Sequence, residues 1–253
     1  MDKITTVFSG KYIKQNNPLF STLYHSFWIM MDWIYPPACS GCDIPGVRYC
    51  PTCQNNMVLL NSKLCQQCGQ PLFSSTHNVC ASCQENPPSF NQIRSLAIYD
   101  GSIRNAILKM KFKQDFGISE YLGEKLAHLF SQLNWTIDMI IPVPLSIKRQ
   151  KERGFNQSFR LSIPIALHTG IPIISSALTR NINTQSQAEL PKEDRQINVL
   201  NAFSSDSKIV KDKSVLIVDD IATTSSTINA CSVALIKKGA KDVFGITVAR
   251  AVL

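Results

Sequence analysis

The hydrophobic and polar positions of the chain change their pattern near residue 91. Beyond it, short apolar runs such as DMIIPVPL and VLIVDD alternate with longer stretches of helical period, which predicts buried strands separated by helices. The first strand is predicted at IRSLAIYD, and helices over residues 103–112, 119–133 and after Gly154. Alternating strands and helices are typical of an α/β domain with a parallel sheet. Residues 36–90 contain few large apolar side chains, so they are predicted to need a stabiliser other than a hydrophobic core.

The N-terminal segment has a polar part and an aromatic part. Residues 1–26 are rich in Asn, Gln and Ser and lack an apolar period, which predicts an unstructured extension, with Met30 and Met31 as alternative translation starts. Residues 27–35, FWIMMDWIY, predict an aromatic helix that packs on the following segment; a membrane-surface helix is the alternative, but no basic face accompanies it. No stretch of about 18 residues is free of polar interruption, so no membrane-spanning helix is predicted. We therefore divide the chain into residues 1–35, 36–90 and 91–253.

Eight of the nine cysteines lie between residues 39 and 83 and form four CxxC pairs. This spacing lets both thiolates of a pair reach one tetrahedral ion at about 2.3 Å, and two pairs complete a closed site. Two structural Zn²⁺ ions are therefore predicted, one held by Cys39, Cys42, Cys50 and Cys53 and the other by Cys65, Cys68, Cys80 and Cys83; an interleaved pairing stays open. Disulfides would need an oxidising compartment, and no cleavable signal sequence is recognisable, so a cytoplasmic location is expected.

The formal net charge of +8 is unevenly distributed along the chain. Residues 91–253 carry 21 Lys and Arg against 14 Asp and Glu, whereas residues 1–90 are nearly balanced. Two four-thiolate zinc sites would add about four negative charges to the cysteine-rich segment, which makes it a poor candidate for clamping DNA. The basic excess of the second half favours phosphate-bearing partners there.

Two adjacent carboxylates, Asp219 and Asp220, follow the apolar run VLIV and precede a run of small hydroxylated residues. The strand would place these acids at its carboxyl edge, close to the start of the next helix. The loop between this strand and that helix is therefore predicted to bind a phosphate. The predicted phosphate-binding residues are Ala222, Thr223, Thr224, Ser225, Ser226 and Thr227. The acid pair suits ribose hydroxyls or a bridging Mg²⁺ ion. The segment resembles the diphosphosugar signature of type I phosphoribosyltransferases, which makes both acids catalytic candidates; a plain strand whose Asp220 caps the next helix is the alternative.

A basic segment, KRQKERGFNQSFRLS, follows the predicted strand that ends in PVP. A basic, glycine-containing loop after a buried strand can hold a pyrophosphate, which assigns that role to Arg149, Arg153 and Gly154; a solvated charged loop is the alternative. Its cations are also candidates for contacts to DNA phosphates: Lys148, Arg149, Lys151, Arg153 and Arg160. Phe155 and Phe159 are the nearby candidates for stacking on bases.

Together these motifs make residues 33–250 resemble the ComF family of competence proteins. The resemblance rests on the four CxxC pairs, Lys111-Phe112, PVPL at 142–145, RGFNQS at 153–158 and VLIVDDIATTSST at 215–227. It also rests on a polar series that runs into Ala202-Phe203, namely Arg180, Thr184, Gln187, Arg195 and Asn198. The family has glycine where this chain has Ser225. A serine in the left-handed backbone conformation that glycine permits there would cost about 1 kcal/mol.

The resemblance implies an α/β, type I phosphoribosyltransferase-like domain preceded by a small double zinc ribbon. It implies a role in natural transformation, in which family members are linked to the handling of incoming single-stranded DNA on the cytoplasmic side. The implied partners are single-stranded DNA, phosphoribosyl pyrophosphate or a related phosphosugar, and other DNA-uptake proteins such as a helicase. An active Mg²⁺-dependent phosphoribosyltransferase is the alternative. Such an enzyme needs a segment that reads an acceptor base or amine, and none is identifiable in the sequence. The sequence therefore does not decide whether the chain is an enzyme.

Overall fold

The computed structural model describes residues 18–60, 63–72, 77–180 and 202–252. Its strands are β1 (Gln92–Ile98), β2 (Met139–Pro142), β3 (Leu178–Arg180), β4 (Phe203–Ser205), β5 (Ser214–Ala222) and β6 (Asp242–Arg250). Its α-helices are α1 (Pro18–Ile34), α2 (Pro51–Asn55), α3 (Ala81–Glu85), α4 (Gly101–Phe112), α5 (Phe116–Ser131), α6 (Ile147–Arg153), α7 (Gln157–Thr169), α8 (Ser207–Val210) and α9 (Ser226–Ile236).

Four strands form a parallel sheet in the order β1-β6-β5-β2, which confirms the α/β prediction. Alternate residues of β5 face opposite sides of the sheet. Leu216 and Val218 pack in a core with residues of α4, α5 and α7, whereas Val215 and Ile217 pack in a core with residues of α9. Since helices cover both faces, residues 215–218 of the strand are all apolar and buried and show no alternation.

The carboxyl ends of β2 and β5 determine where a ligand can bind. Pro142, the last residue of β2, pairs with Val218, so β2 ends beside Asp219. Strand β5 continues through the two acids to Ala222, which pairs with Arg250 on β6. The acids therefore lie within the last residues of the strand. In open parallel sheets, ligands bind outside the carboxyl ends of the strands.

Close packing of α5 against α7 sets the position of α7. A Cβ atom added to Gly123 on α5 would lie 2.6 Å from Cγ of Pro164 on α7, so the contact requires glycine. The N-terminal end of α7 carries Ser158, whose hydroxyl reaches Asp219. The packing of α5 against α7 thus helps to set the position of Ser158 relative to Asp219.

The prediction of an unstructured extension is wrong for residues 18–26, which are helical and belong to α1. The aromatic part of α1 packs on the cysteine-rich segment, as predicted. Arg48 donates to Asp32 at 2.7 Å, and the guanidinium of Arg48 lies 4.6 Å from the ring centroid of Trp28. Tyr24 donates to Glu120 on α5 at 2.5 Å. Sequence periodicity missed the first part of this helix, residues 18–26, because many apolar side chains of the helix are exposed. Among the described helices, none is long and apolar enough to cross a membrane.

The basic segment after β2 begins as a helix, α6, and not as the predicted loop. The hydroxyl of Ser146 accepts a hydrogen bond from the backbone N–H of Arg149 and so caps its start. Gly154 ends it with φ of 75°, a conformation that glycine adopts without steric cost. The long charged side chains of the segment therefore project from a regular helix.

Candidate functional site

The cysteines of the four CxxC pairs form two clusters, and the pairing is sequential. One contains Cys39, Cys42, Cys50 and Cys53 and the other Cys65, Cys68, Cys80 and Cys83, with all Sγ atoms of a cluster within 4.8 Å of one another. The Sγ atoms of Cys42 and Cys50 are 3.6 Å apart, and those of Cys68 and Cys80 are 3.7 Å apart. Zn–S bonds of about 2.3 Å in tetrahedral geometry place sulfurs about 3.8 Å apart, so each cluster fits one zinc ion. The interleaved pairing is excluded.

The two zinc units, residues 38–57 and 64–86, share one backbone plan. Cys50 and Cys80 are the N-cap residues of the short helices α2 and α3. The first knuckle of each unit contains a residue with positive φ, Asp43 (65°) in the first unit and Gly69 (73°) in the second. A Cβ atom at Gly69 would lie 2.6 Å from the carbonyl oxygen of Ile93, so glycine is required where the second unit meets β1.

Backbone amides stabilise the first thiolate of each unit. The N–H of Cys50 donates to Sγ of Cys39 and the N–H of Cys80 donates to Sγ of Cys65, both at 3.3 Å. Although burial raises the pKa of these thiols, the backbone hydrogen bonds lower it to about 6 for Cys39 and about 7 for Cys65. Zinc binds the thiolate form of cysteine, so thiols that ionise readily suit this ion.

The first zinc unit docks on α4. The hydroxyl groups of Tyr49 and Ser102 are 2.7 Å apart. Lys109 donates to the carbonyl oxygen of Cys39 at 3.2 Å and forms an ion pair with Asp43 at 2.6 Å. The unit thereby holds the helix whose C-terminal turn carries Lys111.

The second zinc unit is joined to the predicted phosphate loop by a single buried side chain. Arg250, at the end of β6, is only 3% exposed. Its Nη1 donates to the carbonyl oxygen of Cys68 at 2.6 Å and to Oγ of Ser225 at 3.1 Å, and its Nε donates to Gln70 at 2.8 Å. Sequence reasoning missed Arg250, because neither its spacing nor its neighbours in the chain suggest a role.

Ser225 adopts the left-handed conformation expected of the family's glycine, with φ of 62° and ψ of 9°. It is buried, and its hydroxyl is the acceptor for Arg250. The neighbouring Thr223, Thr224, Ser226 and Thr227 are exposed around the N-terminus of α9, whereas Ala222 is buried as the last residue of β5. The loop thus keeps the predicted backbone geometry while presenting hydroxyl groups outward, an arrangement suited to an anion at a helix N-terminus.

The acid pair is held from two sides. Oδ1 of Asp219 accepts from Ser158 Oγ at 3.0 Å and from the N–H of Asp220 at 2.9 Å. Oδ1 of Asp220 pairs with Nζ of Lys111 at 2.9 Å, in a contact where both side chains are largely buried. Burial, and then repulsion from the Asp220 carboxylate, raise the pKa of Asp219. The pair carries more negative charge than Lys111 neutralises, which favours a further cation.

The basic helix α6 and the C-terminal end of α4 border one cavity of about 370 Å³, whose lining residues are Lys111, Phe112, Gln114, Arg149, Glu152 and Arg153. Lys111 connects this cavity with the acid pair, since it lines the cavity and binds Asp220. The charge of Asp220 also acts on Arg153. Lys151 is exposed, and Lys148 lies 4.0 Å from Glu152 on the exposed side of the helix.

Three other predicted residues have surroundings of their own. The guanidinium of Arg160 lies 4.3 Å from the ring centroid of Phe116, and burial lowers the pKa of this guanidinium. Phe155 packs edge-on against Phe116, and Phe159 is partly buried against the core. These three side chains therefore contribute to packing between α5 and α7.

Only part of the predicted polar series can be placed. Arg180 ends β3, its guanidinium lies 5.4 Å from the ring centroid of Phe203, and the charges of Arg149 and Asp219 act on it. Arg180 therefore lies near the acid pair. The other members, Thr184, Gln187, Arg195 and Asn198, fall outside the described residues.

The donor set of the acid pair suits Mg²⁺, a hard cation that prefers carboxylate oxygens and usually keeps several waters. Asp219 and Asp220 would hold the ion, and a bound ion would neutralise negative charge on a diphosphate and on the ribose side of the site. Because Lys111 already occupies Oδ1 of Asp220, the ion would use the other carboxylate oxygens or displace that ammonium group.

Comparison with known proteins agrees with this architecture. Residues 30–84 match the double zinc ribbon domain, and residues 166–252 match the phosphoribosyl transferase domain. The DNA utilization protein YhgH of Shigella flexneri is 33% identical over 185 residues, which cover 71% of this chain and 81% of that protein. Competence protein F of Haemophilus influenzae is 31% identical over 205 residues, covering 77% and 86%. Competence protein ComFC of Bacillus subtilis is 25% identical over 202 residues, covering 77% and 80%. With two four-cysteine zinc sites preceding a parallel-sheet phosphoribosyltransferase domain, the chain belongs to the ComF family of competence proteins.

Proposed function

We propose that the protein handles incoming single-stranded DNA during natural transformation and binds phosphoribosyl pyrophosphate, or a related phosphosugar, at the carboxyl end of β5. The names of its relatives support a role in competence and DNA use. The observation that carries the proposal is the shared cavity, in which the cations of α6 meet Lys111 and, through it, the acid pair.

The phosphosugar part of the proposal assigns a role to each part of the site. The 222–227 loop and the N-terminus of α9 would bind the 5′-phosphate. Asp219 and Asp220, with Mg²⁺, would bind the ribose hydroxyls. Arg149 and Arg153 would bind the pyrophosphate, since both line the cavity beside Lys111.

Calorimetric titration with phosphoribosyl pyrophosphate, with and without Mg²⁺, tests this part. Replacing both Asp219 and Asp220 by Asn should weaken the Mg²⁺-dependent binding by about 1 to 3 kcal/mol per lost charge-assisted bond. Asp206→Asn, which removes an exposed carboxylate that caps α8, is a matched control and should bind as wild type does. Equal affinity of the double variant and the wild type would show that the acid pair is not the ribose site.

The DNA part of the proposal depends on the positive charge of α6. Arg149, Lys151 and Arg153 lie on one short helix, and contacts between such cations and phosphates release counterions. Neutralising all three should lower the slope of log affinity against log salt by up to about 2, at roughly 0.7 per single-strand phosphate contact. A triple variant of Lys237, Lys238 and Lys241, which are exposed beyond α9, is the charge-matched control. An unchanged slope in the α6 variant would remove this helix from the DNA path.

One observation also favours the second candidate function, an active Mg²⁺-dependent phosphoribosyltransferase. Ser225 has the left-handed backbone expected of the family's glycine, so the loop has the conformation in which it would bind a phosphate. Release of pyrophosphate from phosphoribosyl pyrophosphate in the presence of candidate bases or amines tests this activity. If the α6 triple variant retains DNA binding but loses binding of the phosphosugar, the basic helix belongs to the phosphoribosyl site and the enzyme hypothesis gains support.

A further inference from the structure

One aromatic side chain of the cavity, Phe112, is not among the groups assigned above to phosphosugar binding. Phe112, the last residue of α4, is 69% exposed although it lies among cationic side chains. The guanidinium of Arg153 lies 5.3 Å from the centroid of its ring. The preceding residue, Lys111, is turned to Asp220, so the backbone of α4 presents one cation to the acid pair and one aromatic ring to the open cavity.

Packing in the core does not explain this position. Phe116 and Phe155, which lie close by in the chain, pack on each other with ring centroids 5.0 Å apart, and Phe159 packs on the core. Of the described aromatic residues near α6, Phe112 alone leaves most of its surface open. Proteins that bind single strands without sequence preference combine such an exposed ring with a cationic groove, because every base has a face that stacks.

We propose that Phe112 is a stacking platform for one unpaired nucleobase of single-stranded DNA. This inference rests on the proposed DNA function and names the group that the cavity would recognise. Arg153, beside the ring, adds a cationic contact to the base, and Arg149 on the same wall meets a neighbouring phosphate. Charge complementarity favours this occupant over an uncharged apolar partner, because three of the six lining residues are cations, Lys111, Arg149 and Arg153, against one carboxylate, Glu152.

A free nucleotide offers the same chemistry as one base of a strand. The probes are therefore a labelled oligothymidylate, an abasic oligonucleotide of equal length and charge, and thymidine monophosphate as a competitor. The variants are Phe112→Ala, which removes the ring, and Phe112→Trp, which keeps a stacking face. Tyr35→Ala is the matched control, because Tyr35 is 70% exposed but belongs to the N-terminal segment next to α1.

We expect Phe112→Ala to weaken binding of oligothymidylate roughly 5-fold to 150-fold, the range of base–aromatic stacking. Phe112→Trp and Tyr35→Ala should bind as wild type does, and Phe112→Ala should leave both the abasic affinity and the salt slope unchanged, since no charge is removed. Because Phe112 is largely exposed, the variant should keep the wild-type melting temperature and zinc content.

The outcomes that would overturn the inference are distinct. Equal affinity of Phe112→Ala and wild type for oligothymidylate would refute the platform and leave the proposed DNA function standing. An equal loss on the abasic strand would show a general structural effect, which also refutes stacking. Thymidine monophosphate competing as well as the oligonucleotide would refute a DNA strand as the occupant. If wild type binds no oligonucleotide at all, the proposed DNA function and the platform fail together.

Discussion

Substituting Arg250 by Met should uncouple the second zinc unit from the phosphate loop. Methionine has a similar length and keeps the buried space filled, but it cannot donate to Cys68, Gln70 or Ser225. A hydrogen bond from a charged donor contributes about 1.5 to 3 kcal/mol, and a left-handed backbone costs a non-glycine residue about 1 to 2 kcal/mol. The bond from Arg250 to Ser225 is thus large enough to offset the strain of the loop.

Loss of that bond should let Ser225 leave the left-handed conformation, so the loop amides no longer face a common point. Calorimetry should then show phosphoribosyl pyrophosphate binding weakened by about 1 to 2 kcal/mol, or roughly 5-fold to 30-fold. Adding Ser225→Gly to the Arg250→Met variant should restore most of the affinity, because glycine adopts the conformation without this cost. The same Arg250→Met variant should release one of its two zinc ions faster to a chromophoric chelator, since the carbonyl of Cys68 loses its donor.

Arg94→Met is the matched control for this experiment. Arg94 donates to the carbonyl oxygen of Gln66 at 3.1 Å in the same zinc unit, but among the described residues its hydrogen bonds go to the carbonyl oxygens of residues 65, 66 and 93 and not to the loop. It should loosen the second zinc ion while binding phosphoribosyl pyrophosphate as wild type does. Unchanged sugar affinity in Arg250→Met, or no recovery on adding Ser225→Gly, would refute the coupling.

Further predictions concern the metal, a buried acid and the helix packing. Elemental analysis should find two zinc ions per chain and one in either Cys39→Ser or Cys65→Ser; a wild-type value of one or less would contradict the four-cysteine assignment. Burial raises the pKa of Glu120 from 4.5 to about 7, so the native state binds this proton more tightly and the free energy of unfolding should fall as pH rises from about 4.5 to about 7. Glu120→Gln should therefore stabilise the protein at pH 8 by at most about 3 kcal/mol, with a gain that vanishes near pH 4.5; a pH-independent difference in denaturant titration would exclude this cause. Gly123→Ala should lower the free energy of unfolding by about 1 to 3 kcal/mol, because its methyl group would overlap Pro164, and a wild-type melting temperature would show that the helices separate freely.

The local chemistry of this protein can be predicted from its neighbouring residues. CxxC spacing is a short-range constraint, since two thiolates three residues apart reach one ion in any suitable knuckle, and the structure confirms both clusters. The order of apolar strand, acid pair and hydroxyl-rich loop likewise predicted β5, the loop and α9, because each property depends on near neighbours. The left-handed conformation of Ser225 also followed from its place in the family motif.

Contacts between groups that are distant in the chain follow from the tertiary packing. No periodicity in the chain encodes contacts that depend on how the sheet and the helices pack. These contacts are the sequential zinc pairing, the ion pair of Lys111 with Asp220, and the position of Arg250 between a zinc unit and Ser225. The helical residues 18–26 were missed because their contact with α5 is the hydrogen bond from Tyr24 to Glu120, and apolar spacing gives no signal for such a polar contact. Exposure of Phe112 was equally invisible, since a phenylalanine at the end of a helix has the same sequence signal whether its ring enters a core or a cavity. Short-range geometry depends on neighbouring residues, whereas contacts across the fold form only when the backbone has brought separate elements together.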